Sequence, residues 1–153
     1  KIYKAWDLAN YERLYDIYDP GVTEVKIATG LLAMIHQRSA SSLPVLLFDI
    51  EQGTLIDKLL LPLGVSESIE VIELFSDRLV LKKTRAPFQI YDIRTHKMRE
   101  VRGTRFSQLS IAHYIKSKNL VVMTDNDCVQ LWNAEGQVVQ SYDIIQTTKL
   151  GVC

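Results

Sequence analysis

Apolar residues in this chain come in short runs, and within most runs they alternate with polar ones. Residues 22–29, 31–38, 68–75, 78–85, 107–115 and 119–126 are such runs, rich in β-branched and aromatic side chains. A period of two places alternate side chains on opposite faces of a strand, so each run predicts a half-buried β-strand. The breaks between runs read "DPG", "TG", "EQG", "FSD", "KSKN" and "AEG", which is turn chemistry. No window sustains a helical period over three turns. The stretch "HYIKSKNL" comes nearest, and its place among the other runs assigns it to strand.

One five-residue pattern recurs: apolar, any residue, apolar, aromatic, Asx. It occurs as Tyr3-Lys4-Ala5-Trp6-Asp7, Val45-Leu46-Leu47-Phe48-Asp49, Phe88-Gln89-Ile90-Tyr91-Asp92 and Val129-Gln130-Leu131-Trp132-Asn133. The Asx positions lie 42, 43 and 41 residues apart. A near-constant period of that length marks a repeat architecture of stacked supersecondary units. Two strands precede each of the last three marks, and a polar turn and a further strand follow every mark. The aromatics Trp6, Phe48, Tyr91 and Trp132 are expected in equivalent buried sites, wedged between neighbouring sheets. Asp7, Asp49, Asp92 and Asn133 are expected to cap the turn after each mark.

This order of strands and turns resembles the WD40-like β-propeller superfamily. Residues 109–143, "LSIAHYIKSKNLVVMTDNDCVQLWNAEGQVVQSYD", carry the likeness best, and it extends over nearly the whole chain. The Gly-His pair that opens a WD40 repeat is absent, and His36, His96 and His113 do not stand in its place. The resemblance implies an all-β chain forming part of a propeller, about three and a half four-stranded blades. Residues 22–61, 68–102 and 107–143 would be complete blades, residues 1–17 the outer half of another, and residues 144–153 the start of a further strand. A propeller closes on itself with four to eight blades, so residues 1–153 are expected to be a single propeller segment of a longer polypeptide.

Composition adds little to that picture. With 153 residues, 47% of them hydrophobic, the chain is long enough to bury a core. No apolar run approaches the roughly 20 residues of a membrane-spanning helix. Cys128 and Cys153 make no disulfide framework, and Cys128 reads as a buried thiol in a strand, consistent with an intracellular, cytoplasmic or nuclear setting.

The chemistry of sites is absent at sequence level. There is no phosphate-cradling P-loop, no zinc spacing and no nucleophile elbow. "DNDC" at 125–128 lacks the glycine and distal glutamate of a calcium loop and reads as a tight turn. No enzymatic activity and no cofactor are expected.

Charge is the one uneven feature. The net charge of zero hides a basic stretch. Residues 78–105 carry Arg78, Lys82, Lys83, Arg85, Arg94, Lys97, Arg99, Arg102 and Arg105 against only Asp92 and Glu100. Glu67, Glu70, Glu73 and Asp77 directly precede it. Lys82 and Lys83 are expected to reach solvent near a hairpin. Lys97, Arg99, Arg102 and Arg105 are expected to form a shared patch for an acidic partner. Pairing of the basic stretch with its acidic neighbour on a solvated surface is the competing reading.

Two functions are compatible with these features. One is a non-catalytic scaffold for protein–protein interaction within a multi-subunit assembly. The other is an anion-binding propeller, for nucleic acid or anionic lipid, using the basic stretch. Glu100-Val101-Arg102-Gly103 is similar in position to the Phe-Arg-Arg-Gly motif of the phosphoinositide-binding PROPPIN propellers. It keeps one arginine of the two and has Glu for Phe.

Overall fold

The computed structural model describes residues 1–102, 104, 111–125 and 127–144. These form an all-β chain of four antiparallel sheets, with a single 3-10 turn at Lys116–Lys118 as the described helical element. That turn interrupts the stretch 113–120, which is expected to be strand throughout. It joins β11 (Ile111–Ile115) to β12 (Leu120–Thr124), with Asn119 in the left-handed region after it.

The chain divides into two compact units. The first comprises Lys1–Ser68 and Leu74–Asp77. It holds a two-stranded ribbon, β1 (Ile2–Trp6) with β2 (Arg13–Tyr18), and a four-stranded meander, β3 (Val22–Ala28), β4 (Leu31–His36), β5 (Ser42–Asp49) and β6 (Leu55–Pro62), paired in chain order. Val22, Leu32, Met34 and Phe48 make a buried cluster in this unit, and Tyr3 and Ile17 of the ribbon pack against it. The Tyr15 hydroxyl donates to the Ile50 carbonyl at 2.5 Å. Burial, and then the charge of Asp49, raise the pKa of that hydroxyl. The Arg38 guanidinium donates to the carbonyls of Gly64, Val65 and Glu67, tying down the loop after β6.

The second unit comprises Ile69–Glu73 and Arg78–Cys153. Its strands are β7 (Ile69–Phe75, at the division between units), β8 (Arg78–Lys83), β9 (Phe88–Asp92) and β10 (Lys97–Glu100) in one sheet, and β11, β12, β13 (Cys128–Asn133) and β14 (Val138–Asp143) in the other. Each sheet is again a meander in chain order. Leu79, Leu81 and Met123 are wholly buried, as are Trp132 and Gln130 to within 1%. The Trp132 indole N–H donates to Gln130 Oε1 at 3.2 Å, so this buried polar side chain also serves its aromatic neighbour.

The repeated mark has a repeated geometry. Asp7, Asp49, Asp92 and Asn133 all accept backbone N–H groups through Oδ1, from Ala9, from Glu51 and Gln52, from Thr95, and from Glu135 and Gln137. Each of these turns then contains one residue in the left-handed region: Tyr11, Gly53, His96 or Gly136. In three of the four hairpins a bulge falls just before the aromatic, at Ala5/Trp6, Leu47/Phe48 and Leu131/Trp132. The β9–β10 hairpin runs in unbroken register.

The aromatics do not share one environment, which corrects the expectation of four equivalent buried sites. Trp132 is fully buried and Phe48 is 9% exposed. Tyr91 is half-buried, because its hydroxyl reaches outward to His96 Nδ1 at 3.0 Å. Trp6 is 53% exposed. The strands of the other three marks lie inside four-stranded sheets, whereas β1 belongs to a two-stranded sheet and has less around it to cover its side chains.

Candidate functional site

The basic stretch is dispersed by the fold. Lys83 does not reach solvent. It lies in β8 on the face of Leu79 and Leu81, and alternation buries it to 8% exposure. Lys82 turns the other way, pairs with Glu70 at 3.1 Å and lies 5.9 Å from the centroid of the Phe88 ring. That ion pair is the local neutralisation expected when an acidic strand precedes a basic one in an antiparallel meander.

The remaining cations sort by strand parity. β8, β9 and β10 align Arg78, Asp92 and Lys97 in one cross-strand row, and Ile90 and Arg99 in the row beside it. Lys97 and Arg99 therefore share a face of β10. These two rows, with Ala134 and Glu135 from the β13–β14 turn, line a cleft of about 170 Å³ within the second unit. Arg78 is held by Asp92 at 3.1 Å. The side chains of Lys97 and Arg99 are exposed and make no hydrogen bond or ion pair among the described residues. Three cations thus face two carboxylates, with one cation already committed.

Asp92 is the most constrained acid of the site. Partial burial pushes its pKa up, but this is outweighed by hydrogen bonds from Thr95 and by the Arg78 guanidinium, so the carboxyl sits below the usual aspartate range. It stays ionised, holding Arg78 and the turn together.

Arg102 does not join Lys97 and Arg99. The ladder continues to Val101, whose N–H donates to the Phe88 carbonyl at 2.8 Å and whose side chain is buried. Val101 has the parity of Lys97 and Arg99, so alternation sends Arg102 the other way, where it is exposed and bridges in parallel to Gln137. Arg105 and Gly103 lie outside the described residues. Arg78 is the cleft residue that sequence reasoning left without a role. The signal was its place opposite the mark, where the other two sheets carry Leu31 and Leu120.

Asp125 closes its own turn, accepting the N–H groups of Asp127 and Cys128 at 2.8 Å each. Among the described residues no group of three or more His, Cys, Asp or Glu could hold a metal ion. No helix among them is long and apolar enough to cross a membrane. Cys128 is a buried free thiol.

The family model described as a domain of unknown function, DUF7899, matches residues 1–149. No curated protein matches the chain. Among solved structures, the computationally designed Ika4 protein is similar at 14% identity and a TM-score of 0.50, over 82% of this chain and 74% of that one. The computationally designed Ika8 protein is similar at 15% identity and a TM-score of 0.54, over 91% of this chain. This chain spans only 42% of the length of Ika8. At these identities the likeness concerns the fold alone.

Proposed function

We propose that this chain, which belongs to the DUF7899 family, is a non-catalytic protein–protein interaction scaffold built on a WD40-like β-propeller plan. The propeller reading is supported by the three four-stranded meanders, each with its aromatic–Asx mark on the third strand. Successive antiparallel four-stranded sheets at a period near 42 residues are how propeller blades are laid out along a chain.

The single observation that carries the interaction reading is the pair Lys97 and Arg99. They stand side by side on one strand face, exposed, without an ion pair among the described residues, in a concave cleft. Neither residue contributes to the core. Such a pair suits an acidic side chain of a partner protein, with Arg78 and Asp92 fixing the floor beneath it. Glu135 at the rim disfavours the dense negative charge of a nucleic-acid backbone or a polyphosphorylated lipid head group.

Binding of the chain to Glu- and Asp-rich peptides, to single-stranded nucleic acid and to anionic vesicles tests this reading. Acidic peptides are expected to bind, with affinity falling as salt is raised. The double variant Lys97→Ser/Arg99→Ser is expected to lose that binding, and Arg102→Ser to keep it. Preferential binding of nucleic acid or vesicles would replace the scaffold by the anion-binding function. Peptide binding indifferent to the double variant would leave the two cations as a solvated face.

A further inference from the structure

Lys97 and Arg99 stand on β10, the outermost strand of its sheet. β9 pairs with one edge of β10, and among the described residues no strand pairs with the other. The direction of the backbone groups follows from the ladder. The Val101 N–H donates to the Phe88 carbonyl at 2.8 Å, so Val101 turns its backbone groups toward β9. In an antiparallel pair these groups alternate. Lys97 and Arg99 therefore also face β9, while Met98 and Glu100 turn N–H and C=O toward the open edge. Side chains alternate as well. Lys97 and Arg99 share the cleft face, and Met98 and Glu100 share the opposite one.

This edge differs from its counterparts in the other two four-stranded sheets. The outer strand β6 carries one cation, Lys58, next to Asp57, and the outer strand β14 carries none. Paired cations at alternate positions are thus a property of β10 and not of outer strands in general. A strand laid antiparallel against this edge brings its own side chains directly opposite, on the same face and about 4.5–5.5 Å away between Cβ atoms. Carboxylates two residues apart on that strand meet Arg99 and Lys97 together. On a helix the same two positions diverge, because neighbours there are three or four residues apart.

We propose that the open edge of β10 takes up an acidic segment of a partner protein as an added antiparallel strand, with carboxylates at alternate positions opposite Arg99 and Lys97. This rests on the acidic-partner reading of those two cations and specifies the conformation and spacing of what they bind. The residue between the carboxylates falls opposite Met98 and is apolar. The residue before the first carboxylate falls opposite Glu100 and is basic. Main-chain hydrogen bonds to Met98 and Glu100 supply affinity, and the two charge pairs set the register.

The probe is a fluorescein-labelled peptide, Gly-Thr-Lys-Glu-Val-Glu-Thr-Gly, titrated against the 153-residue chain at low salt and read by anisotropy. Its isomer Gly-Thr-Lys-Val-Glu-Glu-Thr-Gly has the same charge but sends the two carboxylates to opposite faces of a strand. The isomer is expected to bind roughly tenfold more weakly. N-methylation separates strand addition from charge alone. In the proposed register the valine N–H donates to Met98, whereas the N–H of the second glutamate points away from β10. Methylating the valine nitrogen is expected to weaken binding roughly tenfold, and methylating that glutamate nitrogen to leave it unchanged. If all four peptides bind alike and all lose binding to Lys97→Ser/Arg99→Ser, the acidic-partner reading stands and strand addition is overturned. If none of the four binds, both readings fall together. Weakening by both methylations alike also overturns the proposed register.

Discussion

The ring of Phe88 meets that of Trp132 edge-on, with centroids 5.3 Å apart and planes at 78°. Phe88 begins β9 and Trp132 lies near the end of β13, so the contact joins the two sheets of the second unit. Both rings are essentially inaccessible to solvent. Replacing Trp132 by Ala empties the largest buried side chain of the unit and is expected to cost about 3–5 kcal/mol. Trp132→Phe, which keeps an aromatic edge but loses the bond to Gln130, is expected to cost less. Urea unfolding of the two variants, compared through their midpoints, measures both.

Two glycines separate backbone strain from crowding. Gly30 and Gly136 both have positive φ, of 77° and 80°. A Cβ at Gly30 would meet nothing within 4 Å, whereas one at Gly136 would lie 2.9 Å from Ile90 Cδ1 and 3.2 Å from Val101 Cγ2. Gly30→Ala is expected to cost about 1–2 kcal/mol for the left-handed backbone alone. Gly136→Ala adds about 1–3 kcal/mol of overpacking between the sheets. Equal shifts in thermal midpoint would contradict the close approach.

Acid should act partly through Asp92. Its folded-state pKa lies below the unfolded value, so its contribution is complete above the unfolded pKa. That contribution is lost as pH falls through the folded one. Asp92→Asn is expected to lower stability at neutral pH, with the gap from the native chain closing under acid. Chemical denaturation at neutral pH and at successively lower values measures the gap. A gap that stays constant would exclude the carboxylate as its source.

The two adjacent lysines should respond differently. Lys83 is buried beside Leu79 and Leu81, and Lys83→Ala strips a packed aliphatic stem, for an expected loss of about 1–3 kcal/mol. Lys82→Ala removes an ion pair to an exposed Glu70 and a weak ring contact, for an expected loss of about 1 kcal/mol or less. Differential scanning calorimetry of the single variants distinguishes them.

The strands and their turns were legible because period-two alternation and the Asx caps are local signals. β3, β4, β8 and β12 begin within a residue of where the runs begin. The left-handed residue after each mark went unnoticed, since Tyr11 and His96 occupy a place that Gly53 and Gly136 would have advertised. The cleft was half visible. Lys97 and Arg99 sit two apart on a strand and must share a face. Arg102 lies close to them in sequence, but its parity places it on the opposite face. Arg78 was invisible as a partner, because its approach to Asp92 depends on cross-strand register. The exposure of Trp6 could not be read from a motif that buries Trp132, because burial depends on how many strands surround the mark.

The unbroken register of the β9–β10 hairpin has a consequence for how this site could change over generations. Because faces alternate strictly along β10, losing one residue within Arg94–His96 with the register shifted by one would present Met98 and Glu100 to the cleft in place of Lys97 and Arg99. A single codon deleted in a surface turn would then exchange two cations for a thioether and a carboxylate without altering any strand residue. The charge this face presents is therefore set by loop length as much as by side-chain identity.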